Sequence, residues 1–428
     1  MKLVYDIETD GFDATKVWCL VAHNLDTGST YKFSDYDNSI PSMDDGCVML
    51  NNAEVLIGHN IIGFDNLVME KLYGLKLNEK KIYDTWIMSQ VLQYKRPHKH
   101  GLKGWGEHLS NSKIEFDEWD NYSKEMLRYC VQDVKLNADV FNHLMVEYKK
   151  IAAKRPAIKE GLLIEHDTAK FNARVKTRGW NFDVVKAKKN LKAMNVRMLE
   201  IENILHPQLG THKVYIDKVE KFPKFKKNGD YTAVTARLLS DFYNKEIKTT
   251  DIHVHAAGEP FQRFTVEQIT LGSMELVKEW LLTIGWKPDE YNRKKVGREW
   301  VTVGPKITDT SLEKLGDLGK MISEYYTLRN RSSVIKGWLE VLSDGRIHGN
   351  MWTIGTQTFR CRHEVIVNLP GVNAPWGKEL RELFIPDDNW KVVGADSSGN
   401  QLRGLCHYVG NDEFTNEVIY GDQHQRNA

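Results

Sequence analysis

The stretch KLVYDIET, residues 2–9, decides how this chain is read. Its period of two is that of a β-strand, so Asp6 and Glu8 project from one face at one strand end. Two anions held side by side in a folded protein repel unless a cation compensates. Downstream, GHNIIGFD (58–65) ends in Asp65, and YCVQD (129–133) carries Tyr129 and Asp133. The latter two lie four apart in a helical run predicted from Ser123 to about Lys150, which stacks them on one face. Taken singly, each motif also reads as a solvated turn or surface decoration. Together, four acids and a phenol point to a pair of Mg2+ ions, with Mn2+ as a substitute. Magnesium takes oxygen ligands and keeps waters, and two ions roughly 3.5–4 Å apart suit in-line hydrolysis of a phosphodiester.

Composition sets the bounds. A chain of 428 residues predicts two or three domains. Lys plus Arg total 59 against 58 Asp plus Glu, so net charge carries no nucleic-acid signal and any affinity for DNA must come from local clusters. Five cysteines, odd in number and without a CxxC, suggest neither a disulfide framework nor a zinc site; a reducing cytoplasm is the expected location. The acidic first ten residues exclude an apolar leader, and no run approaches the roughly 18–20 apolar residues of a membrane span.

Further strands are predicted at Val17–His23, Ser29–Phe33 and Glu54–Gly58, a helix at Asp65–Tyr73, and a strand or helix start at Ile82–Gln93, where Asp84 is followed by Thr85. The segment 95–103, KRPHKHGLK, is locally basic and reads either as a solvated loop or as a contact to a single-stranded DNA backbone. Pro156 should end the long helix, placing a domain boundary near 151–163. A lysine-rich helix at Val184–Leu205 and a helix at Thr310–Leu342 follow. Between them, 206–264 carries Lys213, Lys218, Lys221, Lys224, Lys226 and Lys227 with interleaved Tyr and Phe, either a solubilising loop or a phosphate-and-base surface.

The order of the acidic motifs resembles the DEDDy class of 3′–5′ exonucleases. EHDTAKFNARVKTRGWNFD (165–183) looks like the segment entering the thumb of family A DNA polymerases, especially those of short-tailed phages. The resemblance implies an α/β (α+β) multidomain chain. It divides into an RNase H-like exonuclease domain at 1–155, a largely helical thumb at 160–345 with the basic insertion at 206–264, and a partial palm at 346–428. It assigns Asp6, Glu8 and Asp133 to the ions, Asp65 to the second ion through water, and Tyr129 to positioning the attacking water. Gly355, Thr358 and Arg360, then Asn368, Leu369 and Arg381, match a palm segment that contacts primer-template, with Arg362 and His363 as further backbone contacts; Phe359 stands where glycine is common. Arginine's planar fork suits phosphate oxygens.

The segment 390–404, WKVVGADSSGNQLRG, looks like polymerase motif A, a buried strand at Val392–Ala395 delivering the metal-binding Asp396 to a helix starting near Asn400. Arg403 fits the motif, whereas Gln401 replaces the family's glutamate that screens the ribose 2′-hydroxyl. The 428 residues contain neither a fingers helix nor a His-Asp-Glu motif. The expected function is a proofreading exonuclease joined to an incomplete polymerase, completed by a second chain with fingers and the remaining palm. Its partners would be primer-template, the 3′ end of single-stranded DNA and a thioredoxin-like processivity factor, in an infected bacterial cytoplasm. A stand-alone single-strand exonuclease and a non-catalytic DNA-binding module are the alternatives.

Overall fold

The alternation in residues 2–9 is realised as strand β1, Lys2–Thr9, at the centre of a five-stranded sheet. The structure is a computed structural model that describes residues 1–111, 114–297 and 299–421. It divides into two units, Met1–Leu383 and Phe384–Ala428.

In the first unit, β1 pairs antiparallel with β2 (Val17–Asn24), which pairs with β3 (Thr30–Phe33). On its other side β1 runs parallel to β4 (Val55–Gly58), and β4 to β5 (Lys81–Asp84). The sheet order is β3-β2-β1-β4-β5, an RNase H-like arrangement. Strand parity then sorts the side chains. Leu3, Tyr5 and Ile7 enter one core with α1 (Met43–Asn51) and α2 (Asp65–Tyr73). Val4 enters the other, with Met126, Cys130 and Val134 of α5 (Lys124–Lys154). Asp6 and Glu8 share the parity of Val4 and so face α5.

Between α2 and α5 lie α3 (Thr85–Leu92) and α4 (Leu102–His108). Asp84 ends β5 and caps α3, accepting from the backbone N–H groups of Trp86 (3.0 Å) and Ile87 (3.4 Å). Its carboxylate also takes the N–H of Asn60 (2.9 Å) and of Ile62 (3.3 Å), pinning the loop that enters α2 at Asp65. Thr85 Oγ1 lies 3.1 Å from the Gly58 carbonyl and 2.7 Å from Asn137 Oδ1, tying β4 to α5. Next, α6 (Ile158–Arg178) sends His166 inward, where Nε2 accepts the N–H of Asp84 at 2.9 Å and Nδ1 donates to Leu162 O at 2.7 Å. That pair of bonds selects the neutral imidazole, and burial pushes its pKa down.

The basic insertion has a small core of its own, Tyr231, Ala236, Leu239, Ile247 and Phe261, closed by the strand pair Thr211–Tyr215 and Phe264–Gln268. The helix expected at Thr310–Leu342 is two, Asp309–Glu313 and Asp317–Glu340, parted where Gly316 takes a φ of 64°.

In the second unit, helices Asn400–Val409 and Asp412–Tyr420 form, the first starting where expected. The expected buried strand at Val392–Ala395 does not: these residues are exposed and belong to no strand, with Val393 88% accessible. A strand is held by neighbours that satisfy its N–H and C=O groups, and no strand lies among the described residues of this unit. Residues 422–428 of the expected palm segment lie outside the described residues.

Because Asp84 satisfies four backbone donors inside the fold, Asp84→Ala is expected to lower unfolding free energy by about 2–4 kcal/mol in urea titrations monitored by circular dichroism. A loss under ~0.5 kcal/mol would show that water replaces those bonds.

Candidate active site

Three elements deliver the predicted acids to one cavity. Strand parity turns Asp6 and Glu8 toward α5; the Asp84-pinned loop sets Asp65 as the first residue of α2; the helical period puts Tyr129 and Asp133 on the buried face of α5. All five line a cavity of about 1110 Å³. Glu8, Asp65, Tyr129 and Asp133 are buried, and Asp6 is half-buried.

Asp65 accepts the N–H of Ile7 at 3.3 Å and shares a side-chain hydrogen bond with Asp6. Burial pushes its carboxyl up to about 7, with the neighbouring Asp84 adding to the rise. Carboxyl oxygens of Asp6 and Glu8 lie within 4.8 Å of each other and of the Cys130 thiol. The thiol is no rival ligand. Burial raises its pKa far above the ordinary value, and it donates to the Asp6 carbonyl at 3.6 Å. The groups that could hold a cation here are carboxylate oxygens, a donor set that would suit a hard divalent ion. Tyr129 is fixed by rings on two sides, Phe116 at 5.5 Å and Trp119 at 5.6 Å between centroids.

The family profile described as 3′–5′ exonuclease matches residues 2–149. Residues 2–149 are thus similar to the 3′–5′ exonuclease domain of family A DNA polymerases. Over 99% of its length the chain is similar to the DNA-directed DNA polymerase of Escherichia phage T7, 23% identical over 525 residues and covering 72% of that protein. The polymerase of Enterobacteria phage T3 is 23% identical over 523 residues, with the same coverage. The solved POL domain of Pol1 from M. smegmatis, in complex with DNA primer-template and dNTP, shares the fold at a TM-score of 0.61 and 13% identity. That match takes in 98% of this chain and 61% of the mycobacterial one.

Several contributors to the exonuclease cavity had no signal in the sequence. Lys176 and its neighbours on α6, and the segment Asn350–Ile354, line the same cavity from positions distant in the chain. In the segment 95–103, Arg96 is buried rather than free for a DNA backbone. It forms a double bond pair with Glu147 (3.1 and 2.5 Å), donates from Nε to Ser89 O, and sits over the Trp105 ring at 4.7 Å.

The residues of the first unit expected of a palm include a hairpin, Met351–Trp352 paired with Arg362–His363. Gly355 allows it to close, since a Cβ there would lie 2.4 Å from Arg362 Cβ and 2.5 Å from its backbone N. Phe359 takes a φ of 59°, the left-handed geometry for which the family's glycine is suited. Arg360 is exposed; the Arg362 guanidinium lies over Trp352 at 4.3 Å; Asn368 has a φ of 47°. Arg381 donates to the carbonyls of Pro370 (2.7 Å) and Leu369 (3.3 Å), so it braces the loop carrying Asn368. In the second unit Asp396 and Gln401 are exposed, and Arg403 donates to Ser398 O at 2.8 Å.

Within the insertion, Lys218, Lys224, Lys226 and Lys227 are exposed, Lys213 lies over the Phe264 ring at 4.3 Å, and Lys221 is paired with Asp217 at 2.6 Å. Arg263 holds the same Asp217 at 2.9 Å, which makes Lys221 part of the module's framework.

Asp65 sets a pH test. With a pKa raised from 3.8 to about 7 on folding, the native state binds the extra proton between those values. Stability from Asp65 is thus full below pH ~4 and lost as pH rises toward 7. In EDTA the Tm is expected to fall across that window, and Asp65→Asn to remove this component. An Asp65→Asn profile parallel to wild type would refute it.

Proposed function

We propose that this chain is a Mg2+-dependent 3′–5′ exonuclease that removes nucleotides from a single-stranded DNA end. The observation that carries the reading is the convergence of Asp6, Glu8, Asp65, Asp133 and Tyr129 on one cavity, where burial pushes the Asp65 carboxyl up to about 7. Asp6, Glu8 and Asp133 would hold the ions, with Asp65 acting on the second through water. Two bound divalent ions would supply an activated water and a stabilised leaving oxygen. Tyr129, clamped by Phe116 and Trp119, positions that water with its hydroxyl. The enclosure by α5, α6 and the sheet limits bulk water around the scissile phosphate.

Residues 1–155 would act as the exonuclease domain, 160–345 as the thumb, and 346–428 as part of a polymerase palm in which Arg360, Arg362, His363 and Asn368 meet primer-template and Asp396 binds metal. Proofreading during DNA replication is the corresponding role. Nucleotidyl transfer needs a second palm carboxylate and a fingers helix in addition to Asp396, so primer extension is expected only where a further polypeptide segment supplies them. The insertion 206–264, with its exposed lysines and its own core, is the surface on which DNA or a thioredoxin-like processivity factor would dock.

The double change Asp6→Ala and Glu8→Ala is expected to reduce Mg2+-dependent release of nucleotides from a 5′-labelled single strand by about 10³-fold or more, with an unchanged circular dichroism spectrum. Residual activity within tenfold of wild type would rule out these acids as metal ligands. For the insertion, changing Lys218, Lys224, Lys226 and Lys227 to Gln should flatten the slope of log binding constant against log salt for single-stranded DNA. Each lost phosphate contact removes about 0.7 from that slope. An unaltered slope would show that the module's partner is not DNA.

A further inference from the structure

We infer that α6 carries a phosphate-binding subsite for the strand upstream of the scissile nucleotide, with Lys176 as the contact; this rests on the exonuclease reading above. Sites for one drug-sized molecule span roughly 300–1,000 Å³, and the cavity here, about 1110 Å³, exceeds that range. More than the terminal nucleotide therefore fits.

The wall that α6 contributes is a helical stripe, Ala169, Asn172, Ala173 and Lys176, at spacings of three, four and seven. Ala169 and Ala173 leave the space beside the helix open. Asn172 is buried and donates from Nδ2 to Met351 O at 3.3 Å, which fixes α6 to the strand forming the adjoining wall. Lys176, half-buried at the end of the stripe, brings a cation into a cavity dominated by carboxylates, and no ion pair engages its ammonium among the described residues. The acids with their ions answer the scissile phosphate. Lys103, which also lines the cavity, lies 3.8 Å from Glu115, whereas the Lys176 ammonium on another wall, unpaired among the described residues, answers a second anion, and in a nucleic-acid strand that anion is the next phosphate.

The experiment compares two substrates with the full chain and Mg2+. One is a ten-nucleotide single strand. The other is the 5′-p-nitrophenyl ester of thymidine monophosphate, whose hydrolysis puts the water oxygen on phosphorus and releases p-nitrophenolate, and which has no upstream phosphate. Lys176→Gln is expected to raise KM for the oligonucleotide roughly 5–10-fold, with kcat within about twofold and ester hydrolysis unchanged. The salt slope for the oligonucleotide should fall by about 0.7, and Lys176→Arg should restore KM. Unaltered oligonucleotide kinetics in Lys176→Gln, or equal losses on both substrates, would overturn the subsite while leaving the nuclease intact. Wild-type protein that cleaves neither substrate would overturn the nuclease reading and the subsite with it.

Discussion

A carboxylate withdrawn from water persists as an anion only where donors or positive charge replace its hydration, and this fold meets that constraint in three ways. Asp84 accepts four backbone N–H groups and becomes a structural staple, although burial still raises its pKa. Asp217 is satisfied by Arg263 and Lys221 and organises the insertion. Asp65, beside Asp6, has the N–H of Ile7 and a shared proton, and its pKa rises. The first two solutions are complete within the polypeptide. The third has fewer donors and stands beside Asp6 in the cavity, where a divalent ion would complete the compensation.

The staple serves the site. Asp84 pins the loop that sets Asp65, Thr85 links β4 to α5, and His166 brings α6 against β5 in its neutral form. The bonds join residues 24, 52 and 82 positions apart, and together they align the sheet end, α2, α5 and α6 around one cavity. Positioning by buried hydrogen bonds suits a site whose acids repel one another, because repulsion would otherwise spread the elements apart.

The exonuclease-like third of the chain was legible because its information is periodic and local. Alternation in residues 2–9 told which face Asp6 and Glu8 share, and the i, i+4 spacing did the same for Tyr129 and Asp133. Strand β1 and helix α2 run over the residues expected of them. What was not legible depends on long-range contact. Nothing in the local sequence separates Arg96, paired in the core with Glu147, from the exposed basic residues around it. The same is true of Lys221 among its neighbours. Pattern also failed at Val392–Ala395, since apolar residues specify a buried strand only when partners exist to cover them.

The hairpin Met351–Trp352 and Arg362–His363 joins the two sets of motifs. Its first strand lines the exonuclease cavity, while its second bears the arginine and histidine expected to meet primer-template. Gly355 lets the strands approach to a distance that no Cβ would permit, and the positive φ of Phe359 closes the turn between them. A duplex pulling on the second strand would thus act on a wall of the degrading site through backbone pairing rather than through flexible side chains.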